Sequence, residues 1–515
     1  MFREFDYDNK PVVEIVNEII EDAIKKGASD IHFDPEEKGI NTRIRIDGEL
    51  HDYCRIPDTV KKNLTTRVKI ISGMNITESR LPQDGAIKHL DDGKQLDLRV
   101  SSLPTIHGEK IVIRILDYSM SLAGLETLGF TESNYEKVKA ALTSPNGIIL
   151  VTGATGSGKS TTVYSMLQLL NTPETNIITV EDPVEMKMKG LNQVQVMSEI
   201  GLDFNTTLRS ILRQDPNVIM IGEIRDDETA RIAVRASITG HLVLSTIHTN
   251  NSLNTIERLL DMDVERYLLG SALTAIISQR LVKKLCPKCR KSRPTTSYEQ
   301  NLFKKVLNMD VPSIYEAVGC DECFGGYKGR AALHEVLLLN QDIRDAIINN
   351  AKKEDLRRIV YNKDNTLTLL EDGLYKIING TTTIEEVIKV IDLDTDFGDD
   401  DIEIRNAFLG KEFKNDKDKE ENIENIEPSS KVINENDIED IKASEKEIIE
   451  ENIENIEPSS EVINENDIED IQFPQMKTVE ESIENIEPNN KVINENDIED
   501  IKTLEKEIVE NIDTL

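Results

Sequence analysis

The chain has 515 residues, more than one hydrophobic core holds, and its net charge of −35 is unevenly spread. Residues 411–515 contain 11 Lys and Arg against 34 Asp and Glu, so that stretch carries −23 and leaves −12 for residues 1–410; neither part has the cationic footprint of a nucleic-acid motor. No apolar run approaches the ~18 residues that span a bilayer, and the start, Met1-Phe2-Arg3-Glu4-Phe5, has no apolar signal core, so the sequence reads as cytoplasmic, touching a membrane only through partners.

Residues 11–26 place apolar groups at helical spacing and stop at Gly27, which predicts an amphipathic helix. Short β-like runs follow at 30–33 and 41–46, then a helical stretch near 57–73 and alternating strands around 86–90, 95–101 and 110–116. This pattern predicts a small α+β domain over residues 1–119. After a joint near 117–121, strand and helix signals alternate through 120–395, as in a parallel sheet with crossover helices. A cysteine-bearing insertion spans 286–327, and helical patterns run from about 342 to 391.

The most informative segment is Gly153-Ala154-Thr155-Gly156-Ser157-Gly158-Lys159-Ser160-Thr161, between the apolar run 148–151 and a helical stretch. Glycines let consecutive N–H groups turn toward phosphates, Lys159 supplies a point charge for the β/γ oxygens, and Ser160 offers a hydroxyl to Mg²⁺. The apolar strand 218–221 runs into Gly222-Glu223, which makes Glu223 the first candidate to meet Mg²⁺ or the attacking water. A second strand runs into Glu181-Asp182-Pro183-Val184-Glu185, either an acidic cluster that polarises water or a solvated strand-end loop. A third carries His241 and His248 at its two ends. One end sensing nucleotide and a purely structural pair are the two readings.

Cys286-Pro287-Lys288-Cys289 and Cys320-Asp321-Glu322-Cys323 form two Cys-x-x-Cys pairs, the spacing of a structural Zn²⁺ site with no position left for water. Cys54 stands alone and reads as a small buried hydrophobe. Residues 396–515 form an acidic tail containing three 30-residue repeats, 422–451, 452–481 and 482–511. Dense like charge and few large apolar groups predict disorder, with an acidic interaction module as the alternative.

Together these motifs resemble the bacterial secretion-motor ATPase family of type II secretion and type IV pilus assembly. Residues 153–162 are similar to its Walker A motif and 181–185 to its acidic box. Residues 212–226 are similar to its signature and 239–250 to its histidine box. Gly27-Ala28-Ser29-Asp30-Ile31-His32, Arg80-Leu81-Pro82-Gln83-Asp84-Gly85 and Gly326-Tyr327-Lys328-Gly329-Arg330 extend the resemblance over residues 11–391.

The resemblance implies an α/β P-loop NTPase core with an inserted four-cysteine zinc subdomain, assembled as a homo-hexamer at the inner face of the cytoplasmic membrane. It also implies an inner-membrane platform protein as partner, ATP, Mg²⁺ and Zn²⁺ as cofactors, and a pilus or secretion pseudopilus as the product of work. Arg99 and Arg114 are implied arginine fingers, with structural strand arginines as the alternative. Ala86 stands where the family commonly has Arg, and Asn217 where it commonly has Asp. The large first N-terminal domain of many relatives is not expected here, and the cysteine pairs favour assembly over retraction. A competence pseudopilus motor, a nucleic-acid translocase and a catalytically idle scaffold recruiting partners through its tail are the competing functions.

Overall fold

A computed structural model describes residues 3–91, 94–116, 124–363, 366–392, 396–398 and 401–409. The chain divides into two units, Met1–Phe413 and Lys414–Leu515. The second unit, with the three repeats, lies outside the described residues, as does the joint expected at 117–121.

The first unit opens with α1 (Val12–Lys25), which buries Ile15, Val16, Ile19, Ile20 and Ala23 along one stripe. Next come β1 (Ala28–Glu36), β2 (Gly39–Ile46), β3 (Glu49–Ile56), α2 (Asp58–Ile71), β4 (Gln83–Asp91), β5 (Lys94–Thr105) and β6 (Gly108–Leu116). The six strands form one sheet in the order β3-β2-β1-β6-β5-β4, antiparallel at every junction. Strand β3 is not expected from the sequence, because Glu49-Leu50-His51-Asp52 lacks clean alternation. Its signal is the turn before it: Asp47 (φ 50°) and Gly48 (φ 93°) adopt the left-handed pair of a tight hairpin. Cys54 is buried as expected, and burial pushes its thiol up to about 11.

The second sheet grows from α3 (Glu132–Leu142), β7 (Gly147–Thr152), α4 (Lys159–Leu170), β8 (Ile177–Glu181), β9 (Asn192–Gln195), α5 (Phe204–Ile211), β10 (Val218–Ile221), α6 (Asp227–Ile238), β11 (Leu242–Ile247), α7 (Ser252–Asp261), α8 (Arg266–Ala272) and β12 (Leu273–Leu285). The insertion contributes β13 (Lys291–Pro294), α9 (Ser297–Leu307) and β14 (Ser313–Glu316), and the chain returns through β15 (Tyr327–Leu338). The strand order is β15-β12-β7-β11-β10-β8-β9, parallel except for the antiparallel edge strand β15. Every residue of β7, β8, β10 and β11 is buried, as apolar strands covered on both faces require.

Helices α10 (Gln341–Ile348), α11 (Lys353–Arg357), a π turn at Arg358–Lys363, α12 (Leu369–Ile378) and α13 (Ile384–Ile388) complete the helical region. The packed body then runs past the tail boundary that composition set at 396. Helix α14 (Ile402–Phe408) lies against α9, Phe397, Ala407 and Phe408 are buried, and Tyr298 Oη donates to the Phe408 carbonyl at 2.8 Å. Two aromatic rings close to each other in this acidic stretch supply the apolar area that charge counting overlooks.

The two sheets meet within the unit. Gly329 N–H donates to Asp47 Oδ2 at 2.8 Å, Lys283 pairs with Glu49 at 2.7 Å, and His51 stacks on Phe324 with ring centroids 5.6 Å apart. A fourth contact, Arg99 to Glu185 at 3.0 Å, joins the N-terminal sheet to the acidic segment that follows β8.

Candidate active site

Strand β7 ends at Thr152 and α4 begins at Lys159; the loop between them turns on Gly153 (φ 145°), Gly156 (φ 79°) and Gly158 (φ 89°). Gly153 and Gly158 have a further reason to lack a side chain. A Cβ on Gly153 would lie 2.3 Å from the Gln279 carbonyl oxygen, and one on Gly158 would lie 2.7 Å from Gln279 Nε2. The loop leads into the N-terminus of α4, where unpaired N–H groups and the helix dipole favour an anion.

Lys159 is buried, and its Nζ donates to the Gly153 carbonyl at 2.8 Å and the Ala154 carbonyl at 3.2 Å. Burial lowers its pKa, opposed by the negative charge of Glu223. Ser160 and Thr161 begin the helix beside it, with Ser160 exposed. A cavity of about 450 Å³ opens over the loop, and Lys159, Ser160, Thr161, Glu181, Glu185, Glu223 and His248 all line it.

Glu223 follows β10 and Gly222 at the carboxyl end of the sheet. Its carboxylate is bonded by Arg225 Nη2 through Oε1 and lies 3.3 Å from His248 Nε2 through Oε2. The Arg225 hydrogen bond is the largest cause of a pKa held below the usual Glu value, with burial opposing it and His248 and Lys159 assisting. Glu223 is therefore an ionised acceptor facing the loop lysine across one cavity.

The acidic box divides into two environments. Glu181 is buried and its oxygens are engaged: Tyr164 Oη and Thr179 Oγ1 (2.6 Å) donate to them, joined by Gln193 Nε2 at 3.1 Å. Glu185 is partly exposed and holds Arg99, whose Nη2 also donates to the Val184 carbonyl at 3.3 Å. Arg114 is the cross-strand neighbour of Arg99 and binds Asp30 at 3.0 Å, its side chain 64% exposed. Ala86 pairs with Arg99 from the other side, so it continues the same row across β4, β5 and β6.

The structure separates the two histidines. His248 follows β11 into the cavity, whereas His241 precedes β11, roughly 20 Å of extended strand away, with Nδ1 2.8 Å from the Ala236 carbonyl.

Cys286, Cys289, Cys320 and Cys323 come together with all four sulfurs within 4.8 Å of one another. The Sγ separations are 4.0 Å for Cys286–Cys320, 3.6 Å for Cys289–Cys323 and 3.6 Å for Cys320–Cys323. A tetrahedral ion with ~2.3 Å bonds to sulfur needs edges of about 3.8 Å, so the donor set fits a metal.

The family of type II/IV secretion system proteins matches residues 6–389. The chain belongs to this family. It is 46% identical over 390 residues to a type IV pilus assembly ATPase PilB of Myxococcus xanthus, covering 74% of this chain and 68% of the relative. It is 45% identical over 381 residues to a putative type II secretion system protein E of Escherichia coli, covering 74% and 77%. The solved pilus retraction motor PilT with bound ADP superposes with a TM-score of 0.51 at 29% identity, over 73% of this chain and 96% of that one.

As a member of this family the chain is an ATP hydrolase with an α/β core. Two residues at its site escape a reading of the sequence alone. Arg330 lines the cavity from the start of β15, and its signal is its place in Gly326-Tyr327-Lys328-Gly329-Arg330, which by itself marks only a family match. Gln279 has no local motif, since only the pairing of β12 with β7 brings it under the loop. Among the described residues no helix is long and apolar enough to cross a membrane.

Proposed function

We propose that the protein is a hexameric motor that couples ATP hydrolysis to assembly of a type IV pilus or a type II secretion pseudopilus at the inner membrane, acting on an inner-membrane platform protein. The observation that carries this reading is an ionised Glu223 facing Lys159 across one cavity in a chain of this family. In this role the loop N–H groups and the helix N-terminus hold the phosphates, and Lys159 exchanges its loop carbonyls for the β/γ oxygens. Ser160 would hold Mg²⁺, which neutralises charge on the phosphates when bound.

Glu223 orients the attacking water and accepts its proton, while Arg225 and His248 fix the carboxylate. Glu185 anchors Arg99 at the cavity mouth, Glu181 braces the strand end through Tyr164, and His241 has a structural part. Arg99 and Arg114, side by side on the N-terminal sheet, supply the cations that reach the γ-phosphate as the sheets close. The four cysteines hold a structural Zn²⁺, supported by their edge lengths.

The test is sedimentation with nucleotide, read beside phosphate release. Wild type should run as a hexamer with one zinc per chain. Arg99→Ala and Arg114→Ala should bind ATP yet hydrolyse it slowly, since an arginine finger is worth about 10³ to 10⁵ in rate in NTPases where it has been measured. Full activity in a monomer at low concentration would end the ring reading.

A further inference from the structure

Gln279 sits in the middle of β12, buried, one residue beyond the point where that strand stops pairing with β7. The register Ile277↔Val151 and Ser278↔Thr152 puts Gln279 level with Gly153, the first residue of the phosphate loop. Its side chain bonds the loop on both sides of Gly158. Nε2 donates to the Ser157 carbonyl at 2.7 Å, and Oε1 accepts from Thr162 Oγ1, in the first turn of α4, also at 2.7 Å. The glycines at 153 and 158 let the loop approach this closely.

Alternation along a strand sends its neighbours the other way. Ser278 Oγ donates to the Asn250 carbonyl at 3.1 Å, and Arg280 Nη2 donates to the same oxygen at 2.7 Å. Asn250 lies two residues beyond His248, the partner of Glu223. One tripeptide therefore holds the phosphate loop with one face and the loop carrying His248 with the other.

We infer that Gln279 is the positioning residue of the nucleotide loop, and that Ser278-Gln279-Arg280 fixes the spacing between the phosphate cradle and the Glu223–His248 pair. The inference rests on the reading that the 153–160 loop holds nucleotide. A carboxamide is the group that suits the place, since it donates to a carbonyl and accepts from a hydroxyl at once. Gln279 does not line the cavity, and its side chain bonds Ser157 and Thr162 rather than Glu223, so its loss should loosen binding more than it slows chemistry.

The experiment measures nucleotide affinity, KM and kcat on the full chain. Gln279→Met keeps the volume and removes both bonds. It should raise the dissociation constant for ADP and the KM for ATP about tenfold while kcat at saturation stays within about threefold. Gln279→Glu should do worse, because a carboxylate oxygen would face the Ser157 carbonyl. Thr162→Val removes one bond alone and should show about a threefold loss of affinity, which carries the test if Gln279→Met fails to fold. Parental affinity in folded Gln279→Met, or in Thr162→Val should the Met variant not fold, overturns the inference. So does a fall in kcat with KM unchanged. Lys159→Ala separates the two levels: lost binding there with none in Gln279→Met removes only the role of Gln279, while normal binding in Lys159→Ala removes the loop reading as well.

Discussion

The two edges of the parallel sheet use similar residues for opposite ends. At the carboxyl edge, strands β7, β8, β10 and β11 release the phosphate loop, the acidic box, Glu223 and His248 into one cavity. At the amino edge the polar groups close on one another. His241 Nδ1 meets the Ala236 carbonyl, Asn146 donates to the Ser237 carbonyl at 3.0 Å, and Asn176 ties down the Gln214 and Asp215 carbonyls at 2.9 and 2.8 Å. Parallel strands all point one way, so residues following each strand converge while residues preceding it are left to finish turns. Of the two histidines flanking β11, His248 lines the cavity and His241 does not.

The strongest way to break this contrast is Glu223→Gln. The amide keeps the shape of the site but cannot take a proton, so phosphate release should fall about 10²- to 10⁴-fold while ATP binding is nearly intact. Equal rates in the two proteins would remove Glu223 from the mechanism. The sign of the pH dependence follows from Arg225. Because the folded carboxylate is held below the ordinary 4.5, its contribution is fully present above that value and fades only as pH falls further. An acid loss of rate centred well above 4.5 would have to come from another group.

A sharper and smaller test compares the two histidines directly. His248→Ala removes a half-exposed partner of Glu223 and should lower kcat about two- to fivefold, in line with the modest worth of solvent-facing pairs. His241→Ala should leave turnover unchanged and cost about 1 kcal/mol of stability from the lost bond to Ala236. Kinetics and melting curves on both variants give the answer. Reversed outcomes would mean that sheet polarity does not sort the two residues.

Local sequence makes the loop, Glu223 and the cysteine pairs legible because each carries its chemistry within a few consecutive residues. Lys159 needs Gly156 and Gly158 close by, and each Cys-x-x-Cys pair brings two of the four sulfurs that gather within 4.8 Å. What could not be read depends on pairing between distant strands. Gln279 reaches the loop only through the β12–β7 register, and the row of Ala86, Arg99 and Arg114 exists only once β4, β5 and β6 align. The same limit hides the difference between Glu181 and Glu185. The two look alike in the sequence, but one is enclosed by Tyr164, Thr179 and Gln193, and the other faces Arg99. Strand β3 is missed for a local reason, its broken alternation outweighing the Asp47-Gly48 turn.

The smallest expected effect lies at the amino edge, at Asn217, where the family resemblance implies Asp. Asn217 is exposed, its Oδ1 accepts from Asn176 N–H at 2.7 Å, and its own N–H donates to the Asn176 carbonyl at 2.9 Å. A carboxylate oxygen can accept the same bond, so Asn217→Asp should change stability by less than about 0.5 kcal/mol. The added charge stands beside Asp215, and any repulsion should weaken as salt is raised. The site is separated from the cavity by strand β10, roughly 13 Å of extended chain, so phosphate release should match the parent. Melting curves at low and high salt, read beside turnover, test both halves. A large loss of turnover with normal stability would show that the amino edge does communicate with Glu223, and the division of labour between the two edges would fail at its least perturbed point.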